Sequence, residues 1–189
     1  MLKLPGIMLK LPGWTIAEQA KTGGYVGIPY TQLDCQGFVE EVLKDAGIRK
    51  LDGSVYNWRG SNSMWRNYIE WRGTIDDCIN KFGKIPLGAF LFKVVNDGGE
   101  KEKGYDDTLG NASHVGLYVG GDDDYPAMDS QRDKGRYRLN AGVSYCQMEV
   151  FNHVGLMSMI DYSQNEPAKP DKAAALAALD ILREFINGC

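Results

Sequence analysis

A cysteine at position 35 stands between an aspartate and a Gln-Gly pair, just where an apolar periodicity begins. Far along the chain, His114 opens a separate apolar run. A thiol and an imidazole together make a covalent nucleophile and its base. From Phe38 onward, Phe38, Val39, Val42, Leu43 and Ala46 recur at one-turn spacing, which predicts a helix stopped by Gly47. Asp34 is then the N-cap and Cys35 the first residue inside. Unsatisfied amides and the positive end of the helix dipole favour an anion there, and with it the thiolate form of Cys35. Gly37 keeps the first turn open to a closely approaching backbone or substrate. On the wet side of the helix, Glu40 and Lys44 are spaced to pair.

Most free cysteines are buried packing groups, so the nucleophile reading requires a histidine. The chain has two, His114 and His153. His114 begins Ser113-His-Val-Gly-Leu-Tyr-Val-Gly-Gly121, a strand pattern closed by a glycine turn beside a glycine-containing loop. His153 sits in a second His-Val-Gly-Leu, but that run ends in Met-Ile-Asp-Tyr162 without the glycine turn. His114 is the preferred base, with His153 as its rival.

The rest of the composition narrows the class. At 189 residues the chain can form one domain with a substantial core. A net charge of −4 and the lack of a Lys/Arg cluster argue against a nucleic-acid surface. The four cysteines (Cys35, Cys78, Cys146, Cys189) and both histidines are widely scattered, so no zinc-site spacing exists and no metal or cofactor is expected. Asp122, Asp123 and Asp124 are out of register for a calcium loop and read as a solvated turn. There is no signal-peptide pattern and no membrane-spanning run, which makes synthesis in a reducing cytoplasm the expectation.

Several elements must position the Cys and the His. Residues 1–13 duplicate Met-Leu-Lys-Leu-Pro-Gly and read as an N-terminal extension, not a structural unit. Trp14–Lys21 is predicted helical, with Thr15 and Glu18 at capping-box spacing. Gly23, Gly24, Gly27 and Pro29 make an irregular approach to Tyr30 and the cysteine helix. After a loop over 48–60, Ser61–Trp71 reads as a helix whose Met64, Trp65, Tyr68, Ile69 and Trp71 serve core or cleft wall. Thr74–Phe82 is a further helix with Ile75, Cys78, Ile79 and Phe82 on its apolar side, and Cys78 there is packing. Strands are predicted at 87–95, 113–121, 125–130, 143–150 and 151–162, with an exposed loop over 97–111. Helices followed by a meander of strands define an α+β fold, N-terminal helices on a central antiparallel sheet. Two prolines within 165–170 mark a linker, and an alanine-rich helix capped by Asp171 follows. The division is therefore 1–13, 14–163 and 164–189.

The segments Leu33-Asp-Cys-Gln-Gly-Phe-Val39 and Ser113-His-Val-Gly-Leu-Tyr-Val-Gly120 together resemble the NlpC/P60 family of papain-like cysteine peptidases. The resemblance also takes in the upstream Tyr30 and the Leu-Gly-Ala-Phe-Leu-Phe strand at 87–92, and it covers residues 14–162. Gln36 departs from it, since the family usually has Ser there. The resemblance implies a papain-like fold and a thiol peptidase that cuts peptidoglycan stem peptides beside γ-D-glutamyl. It implies Cys35 as nucleophile and His114 as base. Asp129, on the following strand, would be the orienting group, and Asp34, Tyr30, Gln36 and Ser113 substrate contacts. It further suggests a phage-type lysin, made without a signal peptide and acting on the wall after release. Alternatives are a CHAP-type amidase cutting between sugar and peptide, and a non-catalytic cell-wall-binding or phage structural domain.

Overall fold

The chain enters its fold earlier than the sequence suggests. Leu11–Pro12 forms β1, which pairs in parallel with β8 (Ile160–Asp161), so the end of the second copy of the duplicated hexapeptide, Leu11 to Gly13, belongs to the folded body. Helix α1 (Gly13–Thr22) consequently starts with Pro12 as N-cap, and Thr15 and Glu18 fall inside it without a side-chain cap bond. The computed structural model describes residues 10–95, 107–121 and 124–163. The predicted linker and C-terminal helix lie outside these residues, as do most of the 97–111 loop and Asp122 and Asp123.

Helix α2 (Cys35–Asp45) forms as its periodicity predicts. Phe38, Val39, Val42 and Leu43 are all fully buried, each contributing roughly 1.5–3 kcal/mol. At its start Asp34 Oδ1 accepts from the Gly37 amide at 2.7 Å. At its end Gly47 takes φ +83°, and the paired bonds Gly47 N–H to Lys44 O (3.1 Å) and Ile48 N–H to Leu43 O (2.9 Å) form a Schellman closure. The expected Glu40–Lys44 pair does not form. Lys44 bonds Glu41 at 2.7 Å, because the Glu40 carboxylate accepts from the Trp58 amide and from Gln36 at 2.8 Å.

Helix α3 (Ser61–Asn67) is shorter than predicted, since Trp71–Thr74 is drawn off as β2 to pair with β7 (His153–Leu156). Met64, Trp65 and Ile69 are core, with the Trp65 ring 4.9 Å from that of Phe92. Helix α4 (Ile75–Phe82) opens on a reciprocal capping box between Thr74 and Asp77. It buries Cys78 completely but leaves Ile79 and Phe82 exposed.

Strands β3 (Phe90–Val95), β4 (Asn111–Tyr118), β5 (Ala127–Gln131) and β6 (Gly142–Cys146) run as an antiparallel meander. The chain must then leave the β6 edge and cross the molecule, because β7 inserts between β3 and β2. This crossing ends the strand predicted over 143–150 at Cys146, in favour of a 3-10 turn at Met148–Val150. It also splits the strand predicted over 151–162 into β7 and β8. The six-stranded order is β2-β7-β3-β4-β5-β6, so the described residues form an α+β fold of four helices and a six-stranded antiparallel sheet beside the parallel β1–β8 pair. One sheet face (Phe90, Phe92, Val115, Leu117, Met128) packs with the α1, α2 and α3 side chains. The other face carries Leu91, Ala127, Cys146, Phe151 and Val154 around Cys78 of α4. Among the described residues no helix is long and apolar enough to cross a membrane.

Candidate active site

The segment that delivers Cys35 is clipped onto the sheet before the helix begins. Gly27 N–H bonds Val143 O and Val143 N–H bonds Ile28 O, each at 2.9 Å, so the glycine-rich approach runs along β6. Gly142 permits this contact: a Cβ there would lie 2.3 Å from Ile28 O, and its φ is +73°. The Ser130 hydroxyl then donates to Leu33 O, two residues before the cysteine. Cys35 is thereby fixed at the start of α2, partly exposed. Asp34 takes up the Gly37 amide, and Phe38 N–H bonds Asp34 O at 2.9 Å. The backbone amides of Cys35 and Gln36 have no acceptor among the described residues, leaving two first-turn donors beside the sulfur.

A cleft of about 340 Å³ opens at this point. Cys35, His114, Tyr30 and Ser113 line it, together with Lys93, Gln131, Arg132 and Asp133. The imidazole of His114 is 8% exposed and held on three sides. Its Nε2 lies 2.6 Å from Asp129 Oδ2, and the Gln131 amide nitrogen is 3.2 Å from Nε2 and 3.5 Å from that same oxygen. The Phe151 ring stacks on it at 5.7 Å and 7°. With Nε2 donating to the carboxylate, Nδ1 is the nitrogen left to exchange a proton with a thiol or a leaving group. Among the described residues no hydrogen bond joins Cys35 to His114; the two border one space, and such contacts commonly tighten only with substrate bound.

Asp129 is completely buried in the middle of β5, one strand in from the β6 edge, opposite Gly116 on one side and Ser144 on the other. A buried carboxylate costs several kcal/mol unless compensated. Here Oδ2 meets His114 and Oδ1 forms an ion pair with Arg138, itself 4% exposed. Burial pulls Arg138 below its ordinary value, against which the neighbouring Cys146 and Cys35 thiols act. Burial also pushes the Cys146 thiol up to about 12 and Cys78 to about 11, so both are packing groups.

Not every expected site residue faces the cleft. Gln36 turns away from it: its amide donates to Glu40 Oε1 and Trp58 O, and its Oε1 accepts from Gly60 N–H at 2.5 Å. This side chain ties the loop before α3 to α2. Asp34 is exposed with one oxygen committed to the cap and is not among the cleft-lining residues. Tyr30 forms a wall, with the Arg132 guanidinium 5.9 Å over its ring. The rival His153 lies elsewhere, on β7, bonded through Nδ1 to Asn152 at 2.9 Å and edge-on to Trp65 at 5.6 Å. Burial holds its imidazole below the usual histidine range. Sequence reasoning missed Arg138, Gln131 and Phe151 around the imidazole and its carboxylate, and Lys93, Arg132 and Asp133 on the cleft wall. Gln131, two residues after Asp129 on the same strand, carried a usable period-two signal. Arg138 is marked off from Arg132 and Arg136 by nothing in the sequence.

A second cleft, about 380 Å³, is lined by residues including Lys50, Tyr56, Tyr68 and Met157. It is slightly larger but holds neither cysteine nor histidine, so the chemistry points to the Cys35 cleft. Among the described residues, no three His, Cys, Asp or Glu side chains converge on a metal-sized space. Comparison with family models, curated proteins and solved structures finds no match to this chain.

Proposed function

We propose that this protein is a thiol hydrolase in which Cys35 attacks, His114 transfers protons and Asp129 orients the imidazole. More particularly, it is a peptidoglycan endopeptidase of the NlpC/P60 type with a papain-like fold. The observation that carries this reading is the His114–Asp129 pair at 2.6 Å on the wall of the cleft that Cys35 also borders.

In the reaction the Cys35 sulfur, its proton passed to His114 Nδ1, adds to the scissile carbonyl carbon. The backbone amides of Cys35 and Gln36 donate to the developing oxyanion. Collapse breaks the C–N bond, and the amine leaves with the proton held on His114, giving a thioester on Cys35. Water, deprotonated by His114, then adds to that thioester. The acid is released, and the proton returns to the sulfur. Tyr30 and Ser113 flank the bound peptide, while Lys93, Arg132 and Asp133 offer both charge signs to a substrate carrying carboxylates and amines. A role in phage-driven lysis or virion entry belongs to this same reading.

Mass spectrometry of digested peptidoglycan tests it. The expected products carry new peptide ends beside D-glutamate. Whole stem peptides released from sugar would favour a CHAP-type amidase, and no products a binding or structural domain.

A further inference from the structure

A buried arginine stands behind the orienting carboxylate, and its backbone is pinned on both flanks. Gln147 N–H bonds Tyr137 O at 2.9 Å, Leu139 N–H bonds Tyr145 O at 3.1 Å, and Arg138 itself bridges to Cys146. The 137–139 segment therefore runs as a ribbon along β6. It delivers a guanidinium into the sheet interior, where it meets Asp129 Oδ1. Both side chains are nearly or wholly inaccessible, so little water is present to compensate either charge.

We propose that Arg138 is a positioning residue for this site: it grips one oxygen of Asp129 so that the other holds His114 by Nε2 and leaves Nδ1 facing the cleft. This rests on reading Cys35 and His114 as nucleophile and base. Without the guanidinium, Asp129 would be a buried anion answered, among the described residues, by an imidazole and the distant Gln131 amide. It would relieve that burden by taking up a proton or by rotating its carboxylate. Either change removes the directed acceptor at Nε2, and the ring then samples the tautomer with its proton on Nδ1, which cannot accept one from a thiol. Arginine suits the task because its planar, permanently charged fork sets direction as well as charge, whereas lysine supplies charge alone.

The chain has two histidines, so ring-nitrogen NMR reads His114 directly, with His153, which lies elsewhere, as an internal control for folding. The full chain is compared with Arg138→Met and Arg138→Lys. In the native protein His114 is expected as the Nε2–H tautomer. Arg138→Met mixes the tautomers and lowers kcat on a γ-D-glutamyl stem peptide by about 100-fold at constant KM, the scale of a small misplacement of a reacting group. Arg138→Lys falls between the two in both readings, with His153 signals unchanged. A native Nδ1–H tautomer overturns the proposal, as does Arg138→Lys matching the wild type in both tautomer and kcat. Should Arg138→Met not fold, the lysine variant alone decides by the same criteria. A tautomer shift in a protein whose wild type cleaves no stem peptide would instead overturn the hydrolase reading and leave the positioning intact.

Discussion

Replacing Gln36 with alanine separates a structural role for this side chain from a role in binding substrate. The amide makes three hydrogen bonds across α2, to Glu40, Trp58 O and Gly60 N–H. Each is half-buried and contributes about 1 kcal/mol net, part of which water recovers once the side chain is gone. A loss of about 2 kcal/mol follows, which for a chain of this size lowers Tm by about 4–8 °C. The Gln36 side chain points away from the cleft toward the loop before α3, and only its backbone amide serves the site, so KM for a stem peptide stays constant. Thermal unfolding followed by circular dichroism, with steady-state kinetics on the same preparation, measures both quantities. An unchanged Tm with a raised KM would refute the reasoning and return Gln36 to the substrate contacts.

Three further outcomes follow from the packing and the ionisable groups. Gly116→Ala places a Cβ 2.6 Å from Phe151 Cζ and 2.7 Å from Met128 O, so urea unfolding is expected to show a loss of about 1–3 kcal/mol; wild-type stability would contradict it. The hydroxyl and amide of Thr74 hold the Asp77 carboxyl below the usual carboxylate range. The stabilisation is therefore present above the ordinary carboxylate pKa and lost as pH falls through the lowered one. Wild type should exceed Asp77→Asn in Tm at neutral pH, the difference closing as pH falls through the lowered carboxyl pKa; a pH-independent gap would contradict this. Burial holds Cys78 and Cys146 as thiols, so native alkylation with peptide mapping is expected to label Cys35 ahead of both. Equal labelling of all three would contradict this.

Local signals in the sequence located the cysteine helix well. Asp34, the apolar repeat from Phe38 and Gly47 act within a few residues of one another, and the cap, buried stripe and closure of α2 follow them. The β4–β5 hairpin was equally legible, and with it the strand that carries Asp129 to His114. Long-range pairing was not. Trp71 continues a helical pattern, yet β7 supplies a strand partner from far along the chain. Leu11–Pro12 reads as part of a duplication until β8 pairs with it. Gln36 is expected at the substrate and Glu40 on the wet side of the helix, but a loop more than twenty positions from Gln36 folds over them and takes their hydrogen bonds. Arg138 is a similar case: only the ribbon along β6 distinguishes a buried partner of Asp129 from the exposed arginines beside it.

The most direct measurement is turnover of a γ-D-glutamyl stem peptide by Cys35→Ala, His114→Ala and the double variant. Groups that act as one unit fail together, so each single variant is expected to lose about 1,000-fold or more, and the double variant little beyond that. Near wild-type turnover in either single variant, or losses that multiply in the double, would contradict a shared site.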